Sequence, residues 1–597
     1  MKHRKFFALL LAAALLLIAA LPMTASAATG PMFDDGSITI TPPGILVLTA
    51  SDFKAFKLFN VTAITGNDTK GYQFAYEPVQ AVKDFLLTLT ASAYGVTVPV
   101  TDTAVAAEQF RKWLQDNYEE THDEPAIIAL AKAMFNSGAF NPASPTKTAT
   151  ADAPNVKFTG VDAGYYLVIG EGRPTEPAPK GQHSKNVISR GMLINVPRLN
   201  PKNGELYTGH SKHITLKLKA DAPKIDKEVW YHDDTAAKTE EPYNGTDKPA
   251  NATDPGWQKW TDVSIGDTVY FKHISKVPDM TGYDQYKFIV HDTMSPGLTF
   301  NASSVKVYIV PSKASYNAVT DLLPQAGNYT VHTAAPGKAH SACTFEIEFV
   351  STKFVTFTEG YDIIILYEAQ LNANAVIGKP GNPNEVYLEY SNNPNDGGTG
   401  TGETPKDKVI VYTFDLEIYK YAGTLNVDDY PLDGAEFELS KKTGKSGGKN
   451  AYGSAIQFVS LDPAANDGYH YRVARPEDAV KTNKIVISTL NGRIKIKGLD
   501  AGEYALTETK APIGYNLPGF ITEIKITHDD DAGGYTVYVG EDPTNTVNIQ
   551  NNTGSQLPGT GGIGIYTFLG VGAAMAILLG AAYVIYRKKK ILGSLKA

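Results

Sequence analysis

The chain has 597 residues, 55 Lys and Arg against 63 Asp and Glu, a net charge of −8 and a single cysteine, Cys343. A mildly acidic chain without a basic patch is a poor match to nucleic acid, and one cysteine excludes an internal disulfide as the stabilising device. With 33 Tyr, and with 53 Gly and 35 Pro punctuating short alternating runs, the pattern is that of all-β sandwiches rather than helical bundles.

Met1 to Lys5 is basic, Phe6 to Leu21 is apolar and Ala25-Ser26-Ala27 is a small-residue cleavage site. Residues 1–27 therefore read as a secretory signal peptide. About 530 residues then remain outside the membrane, enough for roughly three or four domains, and three can be cut. The first, 28–220, opens with the alternating Ser37-Ile38-Thr39-Ile40-Thr41 but holds helical matter in its middle. Val105, Phe110, Trp113 and Leu114 fall near helical spacing. Asp123-Glu124-Pro125 supplies a cap and an early proline for a helix over Ala126 to Phe135. Near the end of this domain Ile214, Leu216 and Leu218 face one way, leaving Lys217 and Lys219 on the wet face.

The second domain, 221–405, closes in the loop-like Asn392-Asn393-Pro394-Asn395-Asp396-Gly397-Gly398 and a linker of Gly, Thr and Pro. Cys343 lies in the strand-like Cys343-Thr344-Phe345-Glu346-Ile347 and reads as a buried structural thiol. The third domain spans 406–556. Its His528-Asp529-Asp530-Asp531 reads as a solvated turn, since it lacks the ligand spacing of a calcium loop. No cofactor and no metal site is expected.

The C-terminus is a composite. Leu557-Pro558-Gly559-Thr560-Gly561 precedes an uncharged run over 563–586, then Arg587-Lys588-Lys589-Lys590 within a short tail, 587–597. The run is long enough to cross about 30 Å of hydrocarbon, and the basic stop keeps the end in the cytoplasm.

Strand parity exposes the chemistry, because side chains at i, i+2 and i+4 share one face. In the third domain Leu416, Ile418 and Lys420 share a face, as do Tyr504, Leu506 and Glu508, and Val547, Ile549 and Asn551. In the second, Ile225, Lys227 and Val229 share a face, as do Phe288, Val290 and Asp292, and Leu388, Tyr390 and Asn392. Each domain thus aims an amine, a carboxyl and a carboxamide at its core, where an unpaired charge costs several kcal/mol. Burial should leave the amine neutral and the carboxyl protonated. A neutral amine is a nucleophile, and a neutral carboxyl can polarise the amide and shuttle protons as ammonia leaves. The expected products are Lys227–Asn392 and Lys420–Asn551 isopeptide bonds, promoted by Asp292 and Glu508.

These residues also carry a resemblance. Leu499 to Tyr515, Leu-Asp-Ala-Gly-Glu-Tyr-Ala-Leu-Thr-Glu-Thr-Lys-Ala-Pro-Ile-Gly-Tyr, with Pro431 to Phe437, resembles the CnaB-type domain. His291 to Phe300 and Glu389 to Pro394 resemble the isopeptide-forming second domain of Gram-positive fimbrial subunits. The tail resembles a cell-wall sorting signal. In order, the chain is similar to the major backbone pilins polymerised by a class C sortase. The resemblance implies tandem immunoglobulin-like, CnaB-type β-sandwiches, the first with helical insertions. It implies a non-enzymatic subunit of a cell-wall-attached surface pilus. Sortase would cut between Thr560 and Gly561 and pass the Thr560 carboxyl through a thioester to a lysine of another copy. Implied partners are further copies, class C and housekeeping sortases, peptidoglycan, accessory pilins and host ligands.

In that family the acceptor lysine stands near the end of the first domain in a Tyr-Pro-Lys context. Lys219 matches best by position, but Leu218 replaces the proline, and Lys217 and Lys224 stay open. Gly164 to Gly170 aligns with the glutamate-bearing strand, yet Gly170 stands where Glu508 would. Lys57 and Asn195 are thus expected to be at most remnants of a pair, with no bond. The other open reading is a monomeric or ancillary wall-anchored adhesin, which would use the same tail without an acceptor lysine. No integrin-type metal-ion-dependent motif is present. No Gly-x-Ser-x-Gly, His-Glu-x-x-His or Cys/His pair points to a secreted enzyme.

Overall fold

The computed structural model describes residues 35–43, 46–67, 71–117, 125–174, 186–197, 212–231, 256–312, 322–334, 342–446, 448–529, 534–553 and 563–594. The signal-peptide and Leu557–Gly561 expectations lie outside these residues. The described chain is mostly β, arranged as three successive units, the first built on three sheets and the other two on two sheets each.

In the first unit, Gly36–Thr41 lies between His213–Lys217, in parallel, and Asn155–Val161, antiparallel. A second sheet runs Met192–Val196, Gly164–Ile169, Lys54–Asn67, Gly71–Pro78. This sheet is buried on both faces. One face joins the sandwich core through Ala55, Tyr166 and Ile194. The other packs Phe56, Phe59, Tyr165 and Leu167 under helices Gln80–Leu87, Thr103–Asn117 and Pro125–Asn136. Double burial explains why Gly164–Ile169 is apolar throughout instead of alternating. The two expected helices are present. Val105 is 55% exposed, however, and Ala106, Ala107, Phe110 and Leu114 face inward. Gln80–Leu87 was not foreseen.

The second unit packs a sheet of Trp257–Gln258, Ile225–Trp230, Thr268–Lys276, Asp362–Leu371 and Leu298–Val310 against a second sheet. That one runs Trp260–Asp262, Asp407–Tyr412, Asn382–Ser391, Phe288–Met294, Phe345–Phe349, Tyr329–His332. Asp407–Tyr412 pairs along Asn382–Ser391, so the expected boundary at 405 moves to Thr413. There a single buried residue separates it from Phe414–Ala422, the first strand of the third unit. In that unit Phe414–Ala422 lies between Arg493–Leu499, antiparallel, and Val547–Gln550, parallel. The facing sheet is built on Glu436–Ser446, Gly502–Lys510, Thr522–Asp529 and Gly534–Val539.

The second and third units dock closely. Ile265 N donates to Gly498 O at 2.9 Å, Ala501 N to Asp262 Oδ2 at 2.7 Å and Ser264 Oγ to Asp500 Oδ1 at 2.8 Å. His528 is not solvated. It shares a strand face with Ile524 and Ile526, and its ring lies 4.3 Å from Trp260 and 4.8 Å from Tyr412, centroid to centroid. The C-terminal helix, Ile563–Ser594, contains an apolar stretch of membrane-crossing length.

Gly170 has no room for a side chain, since a Cβ there would stand 2.3 Å from the Phe53 ring. Gly170→Ala is expected to destabilise the first unit by about 1–3 kcal/mol through overpacking, read as a lower denaturant midpoint.

Candidate functional site

The third unit brings together all three residues expected of it. Lys420 projects inward from Phe414–Ala422, Glu508 from Gly502–Lys510 across the sandwich, and Asn551 follows the parallel strand Val547–Gln550. All three are buried, Lys420 completely. Lys420 Nζ donates to Glu508 Oε2 at 2.9 Å, to Ile549 O at 3.3 Å and to Asn551 Oδ1 in a very short contact. Asn551 Nδ2 donates to Glu508 Oε1 at 2.8 Å, so the carboxyl bridges amine and amide. The Phe437 ring closes the pocket 5.8 Å from Nζ. Burial lowers the Lys420 pKa against the opposing pull of Glu508.

The second unit forms a similar cluster with one different member. Lys227 and Asp292 are fully buried and in direct ion-pair contact. Tyr367 OH accepts from Lys227 Nζ at 2.8 Å and donates to Asp292 Oδ2 at 2.7 Å. His273 Nε2 lies 3.0 Å from Asp292 Oδ2. The carboxamide at this cluster is Asn384, whose Nδ2 donates to Tyr367 OH at 3.1 Å.

Asn392 lies elsewhere. Its Nδ2 donates to Asn186 O at 2.8 Å, and its carbonyl accepts from Ile188 N at 2.8 Å. Nearby, Asn395 Nδ2 donates to Ser189 O at 3.2 Å. Asn392 therefore ties the second unit to the first. Asn384 and Asn392, just past the end of Asn382–Ser391, have the same parity, so parity alone does not separate them. Asp292 pairs with Val386 and Phe288 with Tyr390. The antiparallel register thus sets Asp292 beside Asn384 and leaves Asn392 six residues along from Val386, roughly 20 Å away.

The charge state also differs from expectation. Burial pushes Lys227 down to about 8, against the pull of Asp292. Burial alone would raise Asp292, but Lys227 and His273 outweigh it and its pKa is lowered. Burial, reinforced by Lys227, brings His273 down to about 4, so it is neutral at pH 7. These directions favour an ammonium facing a carboxylate at rest over an amine facing an acid. Both forms hold the same number of protons, so one internal transfer from Nζ to the carboxylate creates the nucleophile. Asp292 Oδ1 and Asn384 Oδ1 are buried with no hydrogen-bond partner among the described residues. Such acceptors each cost about 1–3 kcal/mol. Tyr367 and His273 were not picked out from the sequence, although parity puts His273 on the inward face with Val269 and Phe271.

In the first unit Lys57 pairs with Tyr166, and Asn195 pairs with Tyr165, so they occupy opposite faces of one sheet. Lys57 Nζ stands 5.7 Å from the Tyr166 ring centre, while Asn195 Oδ1 accepts from Tyr76 OH at 3.1 Å. They are not a remnant pair. Lys217, Lys219 and Lys224 all line one open cleft of about 720 Å³ between the first two units, with Asp221, Asp279 and Glu359. Burial, then repulsion among these carboxylates, raises the pKa of Glu359. Cys343 is buried, as expected.

Known proteins resemble this arrangement. Residues 265–394 match the family described as Gram-positive pilin backbone subunit 2, Cna-B-like domain, and residues 417–551 match the SpaA prealbumin-like fold domain. The trypsin-resistant surface T6 protein of Streptococcus pyogenes is 27% identical over 367 residues, covering 55% of this chain and 66% of that protein. Fimbrial subunit type 1 of Actinomyces viscosus is 24% identical over 605 residues, 97% of each chain. Among solved structures, the T6 backbone pilin of S. pyogenes aligns over 87% of this chain and 99% of its own at 16% identity and a TM-score of 0.45. The major pilin SpaD of Corynebacterium diphtheriae aligns over 87% and 98% at 17% identity and a TM-score of 0.42.

Asn384→Ala is expected to abolish one ammonia loss from the intact mass of the chain, whereas Asn392→Ala should keep both losses and loosen the first two units instead.

Proposed function

We propose that this chain, which carries the domains of a Gram-positive pilin backbone subunit, is a tension-bearing unit of a covalent surface filament. Its second and third domains are closed by self-made Lys227–Asn384 and Lys420–Asn551 isopeptide bonds. The observation that carries this reading is the buried amine of Lys420, held between the carboxyl of Glu508 and the carboxamide of Asn551. A lysine, a glutamate and an asparagine in mutual contact out of water is a costly arrangement for stability alone.

The reaction closes on these atoms. One Nζ proton passes to the carboxylate, giving an amine and an acid. Nζ attacks the Asn Cγ, the Cγ–Nδ2 bond breaks, and the departing nitrogen takes one proton by way of the carboxyl and leaves as ammonia. Of the three ammonium protons one stays on the new amide, one leaves and one remains on the carboxyl. Fixed contact substitutes for the encounter of two solutes, worth roughly 7–11 kcal/mol toward the barrier. Asp292 and Glu508 play the same part in the two domains. Tyr367 holds amine, carboxyl and amide together in the second, where Asn551 and Glu508 touch directly in the third.

Polymerisation follows from the tail. Leu557, Pro558, Gly559, Thr560 and Gly561 form the sorting motif. A class C sortase would join Thr560 to a lysine in the cleft of the next copy, and a housekeeping sortase would pass the last subunit to peptidoglycan. Lys219 remains our choice by position, with Lys217 and Lys224 in the same cleft. Asp221 and Glu359, both raised chiefly by burial, suit a role in taking the proton that the acceptor amine must lose. Accessory pilins and host ligands would be partners of the finished fibre, which places the chain at the cell surface.

Intact mass of the chain is expected to fall short by two ammonia losses, and Glu508→Ala should remove one of them; a full unmodified mass defeats the isopeptide reading. In cells carrying the natural sortase, Lys219→Ala should collapse the high-mass ladder on a denaturing gel. A ladder that persists moves the joint to Lys217 or Lys224. No ladder from the unmutated chain would favour a monomeric wall-anchored adhesin.

A further inference from the structure

One buried polar group takes no part in this chemistry. His291 is the chain neighbour of Asp292, so its side chain leaves the opposite face of the strand Phe288–Met294. Glu346 lies directly across from it on one neighbouring strand and Tyr387 on the other. Cys343 arrives from the turn before Phe345–Phe349. His291, Cys343 and Glu346 are 1%, 3% and 1% exposed. His291 Nδ1 lies 3.1 Å from Glu346 Oε1 and 3.6 Å from Cys343 Sγ, and the three donor atoms lie within 4.8 Å of one another.

The two separations from Nδ1 are close to those that a tetrahedral ion sets between its ligands. Bonds of about 2.0 Å to nitrogen and oxygen and about 2.3 Å to sulfur give edges of about 3.3 Å for N···O and about 3.5 Å for N···S. The surroundings fit as well. The Tyr387 ring lies flat on the imidazole, with centroids 4.4 Å apart and planes 7° apart, and its hydroxyl bonds Cys343. The far nitrogen, Nε2, is 3.4 Å from Glu389 Oε2, and Glu389 is held by Lys287 at 2.8 Å. A carboxylate behind the imidazole is the usual companion of a metal-bound histidine. Sulfur, nitrogen and oxygen donors together suit zinc, whereas calcium and magnesium take oxygen.

We propose that His291 Nδ1, Cys343 Sγ and Glu346 Oε1 bind one zinc ion, with the Tyr387 hydroxyl as the oxygen this chain offers for the fourth position. Binding releases the thiol proton and any proton shared by His291 and Glu346. The ion ties the turn carrying Cys343 to the sheet. Because His291 adjoins Asp292, it also pins the strand that positions the carboxyl of the second domain. The test is to strip the untagged full-length chain in detergent with a chelator, then titrate it with Co²⁺ and with Zn²⁺. One equivalent should bind, Co²⁺ should give a thiolate-to-metal charge-transfer band, and Zn²⁺ should displace it and raise the melting temperature. Cys343→Ser should lose the band. Glu389→Gln, which removes no ligand, should weaken binding about 10- to 100-fold, with cooperative melting as the check on folding. Failure of the unmutated chain to bind one equivalent, a cobalt complex without the thiolate band, or unchanged binding in Cys343→Ser would each overturn the site.

Discussion

The removal of two lysine amines from water is the constraint on which the rest of this molecule turns. A primary amine buried among Phe, Tyr and Ile side chains is unstable unless something compensates it, and each domain arranges its strands to do so. Around Lys420 the compensation is direct, with carboxyl and carboxamide both in contact with Nζ. Around Lys227 the carboxyl of Asp292 is also in direct contact, while the carboxamide of Asn384 is reached through Tyr367, whose hydroxyl touches amine, carboxyl and amide alike. Conversion to an amide removes the problem, because the product carries no charge to desolvate. A cross-link over more than a hundred residues also restricts the unfolded chain, by roughly 5 kcal/mol on the loop-entropy argument. In a chain with one cysteine, such a bond would take the place of a disulfide.

The two sites close differently. Lys420 and Asn551 lie on neighbouring parallel strands, the first and last of the third domain. Lys227 and Asn384 lie on opposing sheets, so a bond between them would span the sandwich. In both, the lysine sits on the domain's first strand. Pull applied at the domain ends would reach the cross-link before it reaches the remaining strands.

Much of this was legible in the sequence because the β period is two and unforgiving. Parity placed Lys420, Glu508, Asn551, Lys227 and Asp292 on inward faces, where the structure has them. Parity does not say which end of a strand meets a given neighbour. That needs the register of Phe288–Met294 against Asn382–Ser391, and without it Asn392 and Asn384 are equivalent. His528 shows the opposite lapse. The acidic residues after it suggested water, while its own parity with Ile524 and Ile526 pointed inward. Gln80–Leu87 spans barely two turns, too short for helical spacing to separate it from a strand. The boundary near 405 followed a Gly-Thr-Pro stretch that proves to border the domain's own last strand, Asp407–Tyr412. The sheet under the helices carries no alternation because both its faces are covered, so the layering of the first domain was the least readable part.

The junction at Thr413 has a mechanical consequence. Its hydroxyl donates to Leu499 O at 3.1 Å, and its carbonyl accepts from Gly378 N at 2.9 Å, so the one residue between two domains is held from both sides. One cluster of buried apolar side chains also includes residues of all three domains. A body of this kind has no internal hinge there to yield. In a filament of such bodies, curvature would collect where one copy is joined to the next. Contour flexibility would then scale with the number of joints and not with the length of protein between them, as in a chain of rigid links.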